Sequence, residues 1–149
     1  MTIHNALYSS ATDEWPTPFA FFADLNREFR FTLDPCATRQ NAKCPRHFTK
    51  AEDGLVQDWG RETVFCNPPY GRAISAWVKK CHQAAQAGAT VVLLIPSRTD
   101  TRYFHDWIYG KAELRFVRGR LKFGDGKQSA PFPSLLAIFR PNRSGSSAA

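Results

Sequence analysis

Thr63-Val64-Phe65-Cys66-Asn67-Pro68-Pro69-Tyr70-Gly71 reads as a buried strand that stops in a stiff turn. Val64 to Cys66 has the β-branched and aromatic content of such a strand. Pro68 and Pro69 each remove a backbone N–H and fix φ near about −65°. Pro68 also holds Asn67, and Pro69 holds Pro68, in extended backbone, so no helix can start at once. In an open α/β sheet, ligands bind at the carboxyl ends of the strands. The stretch puts Asn67 to Tyr70 at such an end.

The chemistry of this turn suits an aromatic amine. The Asn67 side chain carries an amide oxygen that accepts hydrogen bonds. Pro68 cannot donate, but its backbone carbonyl accepts. Two adjacent acceptors match an exocyclic NH₂, which has two hydrogens to give. Tyr70 offers a flat ring for a planar heterocycle. An amine held by acceptors keeps its electron density on nitrogen and becomes a better nucleophile. The stretch therefore predicts a site where such an amine is alkylated.

Four stretches in order extend this reading: Asp13-Glu14-Trp15-Pro16-Thr17-Pro18, Leu33-Asp34-Pro35-Cys36-Ala37, Asn67 to Tyr70, and Gly119-Arg120-Leu121-Lys122-Phe123. Together they resemble the small phage-type DNA N6-adenine methyltransferases, over roughly residues 12–141. Asn-Pro-Pro-Tyr alone is less specific, because RNA and protein amino-methyltransferases also carry it. The resemblance implies S-adenosylmethionine as cofactor and DNA as partner. It implies catalytic roles for Asn67, Pro68, Pro69 and Tyr70. It also implies that Thr17, Asp34 and the backbone of Pro35, Cys36 and Ala37 hold the cofactor. Trp15 suits either that contact or ordinary core. Asp58 and Trp59 resemble the point where the cofactor's adenine is read, or else a surface carboxylate beside a core indole. The usual glycine-rich cofactor loop is missing, since no glycine lies between Arg30 and Lys50.

The totals agree with a soluble nucleic-acid enzyme. The 149 residues allow one domain with a sizeable core, without need of disulfides. Four cysteines, at 36, 44, 66 and 81, show no close pairing, which suits reduced thiols in a cytoplasm; the resemblance implies that of a bacterial host. Cys36, Cys44 and His47 lack the Cys-x-x-Cys spacing of a structural zinc site, so no metal is expected. No apolar run is long enough for a membrane span, and Met1 to Ser10 lacks the regions of a signal peptide. The formal charge of +7 and pI of about 9.5 favour a polyanionic partner through counterion release.

In chain order, residues 1–11 read as a flexible lead and 142–149, rich in Ser, Gly and Ala, as a disordered tail. Residues 12–141 form the single methyltransferase domain. Thr17 is placed to cap a helix with Pro18 in its first turn, and Phe19, Phe22, Ala23, Leu25 and Phe29 supply an apolar face. Phe29, Phe31 and Leu33 alternate with Arg30 and Thr32, which predicts a strand ending at Asp34, followed by a turn at Asp34 to Ala37. Residues 38–53 read as a polar, irregular, basic loop. Ile74, Trp77, Val78, Cys81, Ala84 and Ala85 recur at helical spacing, and Gly88 ends that helix. Thr90 to Ile95 is a continuous apolar run, as in a central parallel strand. A second helix is predicted from about Thr101 to Tyr109, then strands at Lys111–Val117 and Leu135–Phe139 joined by a loop that overhangs the site. Arg98, Arg120, Lys122 and Phe132 are the candidates for holding a nucleic acid.

Strands alternating with helices predict a three-layer α/β sandwich. The resemblance implies the Rossmann-like class I methyltransferase version, a mostly parallel sheet with a terminal antiparallel hairpin. The expected activity is S-adenosylmethionine-dependent methylation of adenine N6 in DNA. With no room for a separate recognition domain, a short or relaxed target sequence is expected. RNA or a protein glutamine amide as acceptor, on the same fold, is one alternative; a non-catalytic nucleic-acid-binding module is another.

Overall fold

The computed structural model describes residues 15–124 and 129–141. The expected lead at 1–11, Asp13 and Glu14, the Asp125–Gly126 turn and the tail at 142–149 lie outside the described residues.

The first helix, α1 (Phe19–Phe29), buries Phe22 and Leu25. It closes at Arg30, whose left-handed φ of 57° is supported by Asn26, which accepts from the Phe31 N–H at 2.8 Å. Because the apolar spacing of α1 runs on through Phe29, that residue is helical, and the strand predicted to end at Asp34 instead begins at Leu33. The strand β1 is Leu33–Ala37, so Asp34 and Pro35, expected in a turn, lie in the sheet. Pro35 has no N–H to pair, and it sits where the register slips between Asp34 and Ala37; such irregularities are where a sheet tolerates proline.

The polar stretch 38–53, expected to be irregular, contains a short strand β2 (Arg46–Thr49). It forms one edge of the sheet. An edge strand is half-wetted, so its sequence need not show the apolar alternation that marks a strand. A 3₁₀ turn (Gly54–Val56) leads to β3 (Thr63–Cys66). The next helix, α2 (Ile74–Gln86), buries the six residues that the spacing picks out; Ile74 and Val78 alone contribute about 1.5–3 kcal/mol each. It ends at Gly88, whose φ of 123° suits glycine. β4 (Thr90–Pro96) is buried along almost its whole length. The expected second helix is present over residues 102–108, π-helical along Phe104–Ile108, and is closed by the Tyr109 N–H donating to the Phe104 carbonyl at 2.8 Å. Strands β5 (Glu113–Phe116) and β6 (Ser134–Phe139) complete the chain.

The six strands are ordered β2-β1-β3-β4-β6-β5. β2, β1, β3 and β4 are parallel, and β6 runs antiparallel to both β4 and β5. Successive side chains on a strand point to opposite faces, and β3 shows what this does. Phe65 packs its ring 5.1 Å from Phe22 of α1, while the Cys66 thiol meets Cys81 of α2. The helices therefore cover opposite faces, which makes three layers. After β1 the chain moves outward to β2, then returns to β3 on the other side of β1. Such a reversal opens a crevice at the carboxyl ends of the two strands.

Candidate active site

A cavity of about 510 Å³ occupies that crevice. Its volume falls within the range of small-molecule sites, ~300–1,000 Å³. Asp34, Pro35, Cys36 and Ala37 form the wall from β1. Asn67 and Pro69, beyond β3, form the opposite wall, and Trp15 and Thr17 cover it from the N-terminal side. The structure thus brings together six residues that the sequence assigned to the cofactor and two that it assigned to catalysis.

Asp34 is 5% exposed. Its carboxylate accepts from the Lys43 N–H at 2.9 Å and from the Cys36 N–H at 3.3 Å. Burial pushes its pKa up, and those two N–H groups hold it back. It is therefore a partly satisfied carboxylate in an apolar frame, suited to a ligand that brings further hydrogen-bond donors or positive charge.

Asn67 is wired into the N-terminal segment. Its NH₂ donates to the Trp15 carbonyl at 2.6 Å and to the Thr17 hydroxyl at 2.8 Å. The Trp15 carbonyl can only accept, which fixes which end of the amide is nitrogen. Thr17, expected to cap α1, makes no capping bond there; Pro18 holds the cap position, and Thr17 is buried against Asn67 instead. The Asn67 oxygen accepts from the Tyr70 hydroxyl at 2.8 Å, which also lies 3.1 Å from the Leu94 carbonyl. No hydrogen bond engages the Pro68 carbonyl among the described residues.

Tyr70 differs from the open plate expected of it. It is 7% exposed, and its ring makes edge-to-face contacts with Phe132 and Phe123, centroids 5.6 and 6.4 Å apart. Burial raises its hydroxyl pKa well above the usual range, so the phenol keeps its proton and acts as a donor. Beside it opens a second hollow of about 430 Å³, bordered by Trp15, Tyr70, Arg98, Tyr103 and Phe132. Two of the expected nucleic-acid residues, Arg98 and Phe132, meet here. Arg120 and Lys122 do not line this hollow. Both side chains are exposed, and Arg120 donates to the Ala130 carbonyl at 3.3 Å, bracing its own loop.

Asp58 and Trp59 do not line the larger cavity. Trp59 is 1% exposed, and its indole N–H donates to the Gly54 carbonyl at 2.9 Å. Asp58 accepts from the Gly60 N–H and closes a surface turn. The wall they were expected to form is built by Asp53 and Leu55, where the Asp53 carboxylate accepts from the Leu55 N–H at 3.1 Å. The Asp53-Gly54 pair is a turn signal, and it was the available cue. Lys50 and Thr49 at the end of β2 also reach the cavity; they were hidden in the stretch expected to be irregular.

All four cysteines are free, and no group of three or more metal-ligating side chains occurs among the described residues. Cys36 lines the cavity, and its thiol lies 3.6 Å from that of Cys66. Burial, with Asp34 nearby, pushes the Cys36 pKa up to about 11. Alkylation by iodoacetamide, followed by mass spectrometry, is therefore expected to be slow at neutral pH. It should rise about tenfold per pH unit until the thiol ionises. Fast labelling at neutral pH would show a more activated thiol.

The family model for DNA N-6-adenine-methyltransferase (Dam) matches residues 4–147. A DNA N-6-adenine-methyltransferase of Haemophilus phage HP1 is 26% identical over 140 residues, covering 89% of this chain and 81% of that protein. One from Escherichia phage T1 is 27% identical over 111 residues, covering 73% of this chain but 46% of that protein, so the match spans about half of that relative. Among solved structures, the 23S rRNA methyltransferase ErmE superposes with a TM-score of 0.54 at 15% identity, over 85% of this chain and 70% of that one. This likeness shows the fold, the Rossmann-like class I methyltransferase architecture with a mixed sheet. No helix among the described residues is long and apolar enough to cross a membrane.

Proposed function

The chain belongs to the DNA N-6-adenine-methyltransferase (Dam) family, and from that premise we propose that it methylates N6 of adenine in DNA, using S-adenosylmethionine, at short or relaxed target sequences inside a phage host cell. One observation carries this reading: two cavities of about 510 and 430 Å³ share Trp15 as a wall, with Asn67 on the first and Tyr70 on the second. A donor chamber and an acceptor chamber, joined by the hydrogen bond from the Tyr70 hydroxyl of one to the Asn67 amide of the other, is the layout that transfer between two bound molecules needs.

Asp34, Asp53 and the backbone of Pro35 to Ala37 would hold the cofactor in the larger cavity. When bound, S-adenosylmethionine supplies an electrophilic methyl group on a sulfonium. The smaller hollow takes an adenine that has left the stack, as enzymes acting on a base require. Phe132 and Trp15 border it with aromatic surface, and Arg98 at its rim is suited to the flanking phosphate. The Asn67 oxygen and the Pro68 carbonyl accept from the N6 hydrogens, which leaves the nitrogen lone pair for the incoming methyl. Once methylated, the nitrogen is acidic and gives its proton to solvent, so these residues include no strong base. Holding two reactants in line accounts for most of the rate. With Tyr70 buried by its own contacts, its contribution is a wall of the hollow and the hydroxyl that holds Asn67.

The test is transfer of tritiated methyl to unmethylated DNA, RNA and protein, followed by nucleoside analysis. Label in N6-methyladenine from DNA is the expected result. Label in RNA or in a glutamine side chain, or none at all, would overturn the assignment. A second expectation concerns specificity. The described residues build one six-stranded sheet and no second sheet or bundle beside it, so methylation sequencing of DNA treated with the enzyme should return a degenerate or short motif. A defined site of six base pairs or more would contradict this.

A further inference from the structure

We propose that residues Trp15 to Thr17 form a positioning strap that fixes the orientation of the Asn67 amide, with the Thr17 hydroxyl as its side-chain anchor. This deepens the methyltransferase reading and rests on it for its kinetic consequences.

A primary amide has two N–H donors and one carbonyl. Here both donors are taken by the strap, by the Trp15 carbonyl at 2.6 Å and the Thr17 hydroxyl at 2.8 Å. The strap is itself tied down. The Gly124 N–H donates to the Pro16 carbonyl at 3.0 Å, and the Trp15 ring packs edge-to-face on Phe132 and Phe123 at 5.2 and 5.6 Å. Thr17 is 6% exposed, so water does not readily replace its bond.

The carbonyl end of the amide already accepts from Tyr70. A carbonyl oxygen has two lone pairs, so one remains for an incoming amine, in a direction the strap sets. The terminal torsion of asparagine is otherwise broad and nearly two-fold. An amide free to turn over would present NH₂ to NH₂, donor against donor. The strap excludes that rotamer, because the Trp15 carbonyl would then face a second oxygen. It also links the amide to Gly124 and to Phe132, which borders the acceptor hollow, so these residues and the amide are held by one short segment.

The experiment compares Thr17→Val with Thr17→Ser in the full chain. Steady-state methyl transfer, calorimetric S-adenosylmethionine binding and the hydrogen exchange of the Asn67 side-chain amide by ¹⁵N NMR are the readouts. Thr17→Val is expected to lower kcat between about 10- and 100-fold, as small misplacements of a reacting group do. DNA KM should stay within about threefold, because Thr17 does not border the smaller hollow, and amide exchange should accelerate. Thr17→Ser, which keeps the hydroxyl, should restore both kcat and protection. The proposal is overturned if Thr17→Val raises KM or Kd at unchanged kcat, if serine does no better than valine, or if amide exchange is the same in all three proteins. Should Thr17→Val fail to fold, the smaller Thr17→Ala carries the same comparison. A wild-type protein that methylates no DNA would refute the functional reading, and the exchange measurement would still decide the strap.

Discussion

Asn67→Ala is expected to lower methyl transfer to DNA by about 10²–10³-fold, the scale on which removal of one preorganised polar partner acts. Cofactor affinity should change by no more than a few-fold, because Asn67 forms one part of a cavity whose other wall, around Asp34, is untouched. The substitution also strips a donor from the Trp15 carbonyl and from the Thr17 hydroxyl. Each unsatisfied group costs about 1–3 kcal/mol where water cannot reach it, so a lower Tm accompanies the loss. Asn67→Asp should not rescue activity. A carboxylate would set an oxygen against the Trp15 carbonyl, which has no proton to offer. Single-turnover kinetics with calorimetry separate these effects. Loss of cofactor binding equal to the loss of turnover would remove Asn67 from the acceptor role and make it a cofactor residue.

The second large effect is expected at Gly54. A Cβ built there would sit 2.2 Å from the Pro35 carbonyl oxygen and 3.0 Å from the Trp77 ring. The first neighbour is backbone of β1 and cannot swing aside. Gly54→Ala must therefore push the Asp53–Leu55 turn away from β1, and those two segments both line the larger cavity, the one proposed to hold the cofactor. Overpacking of this kind costs about 1–3 kcal/mol, or roughly 2–4 °C in Tm per kcal/mol at this chain size. The bond from the Trp59 indole to the Gly54 carbonyl is strained in the same movement. Cofactor affinity should fall by at least about tenfold, equivalent to ~1.4 kcal/mol. Gly60→Ala is the control: its φ of 54° favours glycine, but nothing lies within 4 Å, so it should cost about 1–2 kcal/mol of stability and leave cofactor binding alone. Equal effects of the two substitutions on affinity would show that the close approach to Pro35 does not shape the cavity.

What the sequence made legible follows from where the apolar pattern was strong. The buried run of β4 and the helical spacing of α2 are single-valued, and both appear at the expected places. β2 escaped because an edge strand with solvent on one side needs few apolar residues. The boundary of β1 shifted because Phe29 and Phe31 fit a helix end and a strand start equally well; the left-handed Arg30, braced by Asn26, decides between them. At the site, proline and asparagine mark the abrupt stop after β3, and Asn67 and Pro69 there line the larger cavity. For Asp58 and Trp59 the structure takes the second of the two readings, a surface carboxylate beside a core indole, because a Trp in sequence carries no sign of which way its ring faces. The Asn67–Thr17 bond joins residues fifty positions apart, and no local pattern reports a contact of that range.

The sheet order has a consequence for synthesis on the ribosome. β5 touches the rest of the sheet through β6 alone, and β6 also covers the open flank of β4. A nascent chain that has emerged only through residue 133 thus displays a long apolar edge, Val91 to Ile95, with nothing to zip onto it. Premature termination before β6 should yield sticky, chaperone-bound material rather than a smaller working protein, and methylation should begin only after the last strand zips onto β4 and brings β5 into the sheet with it.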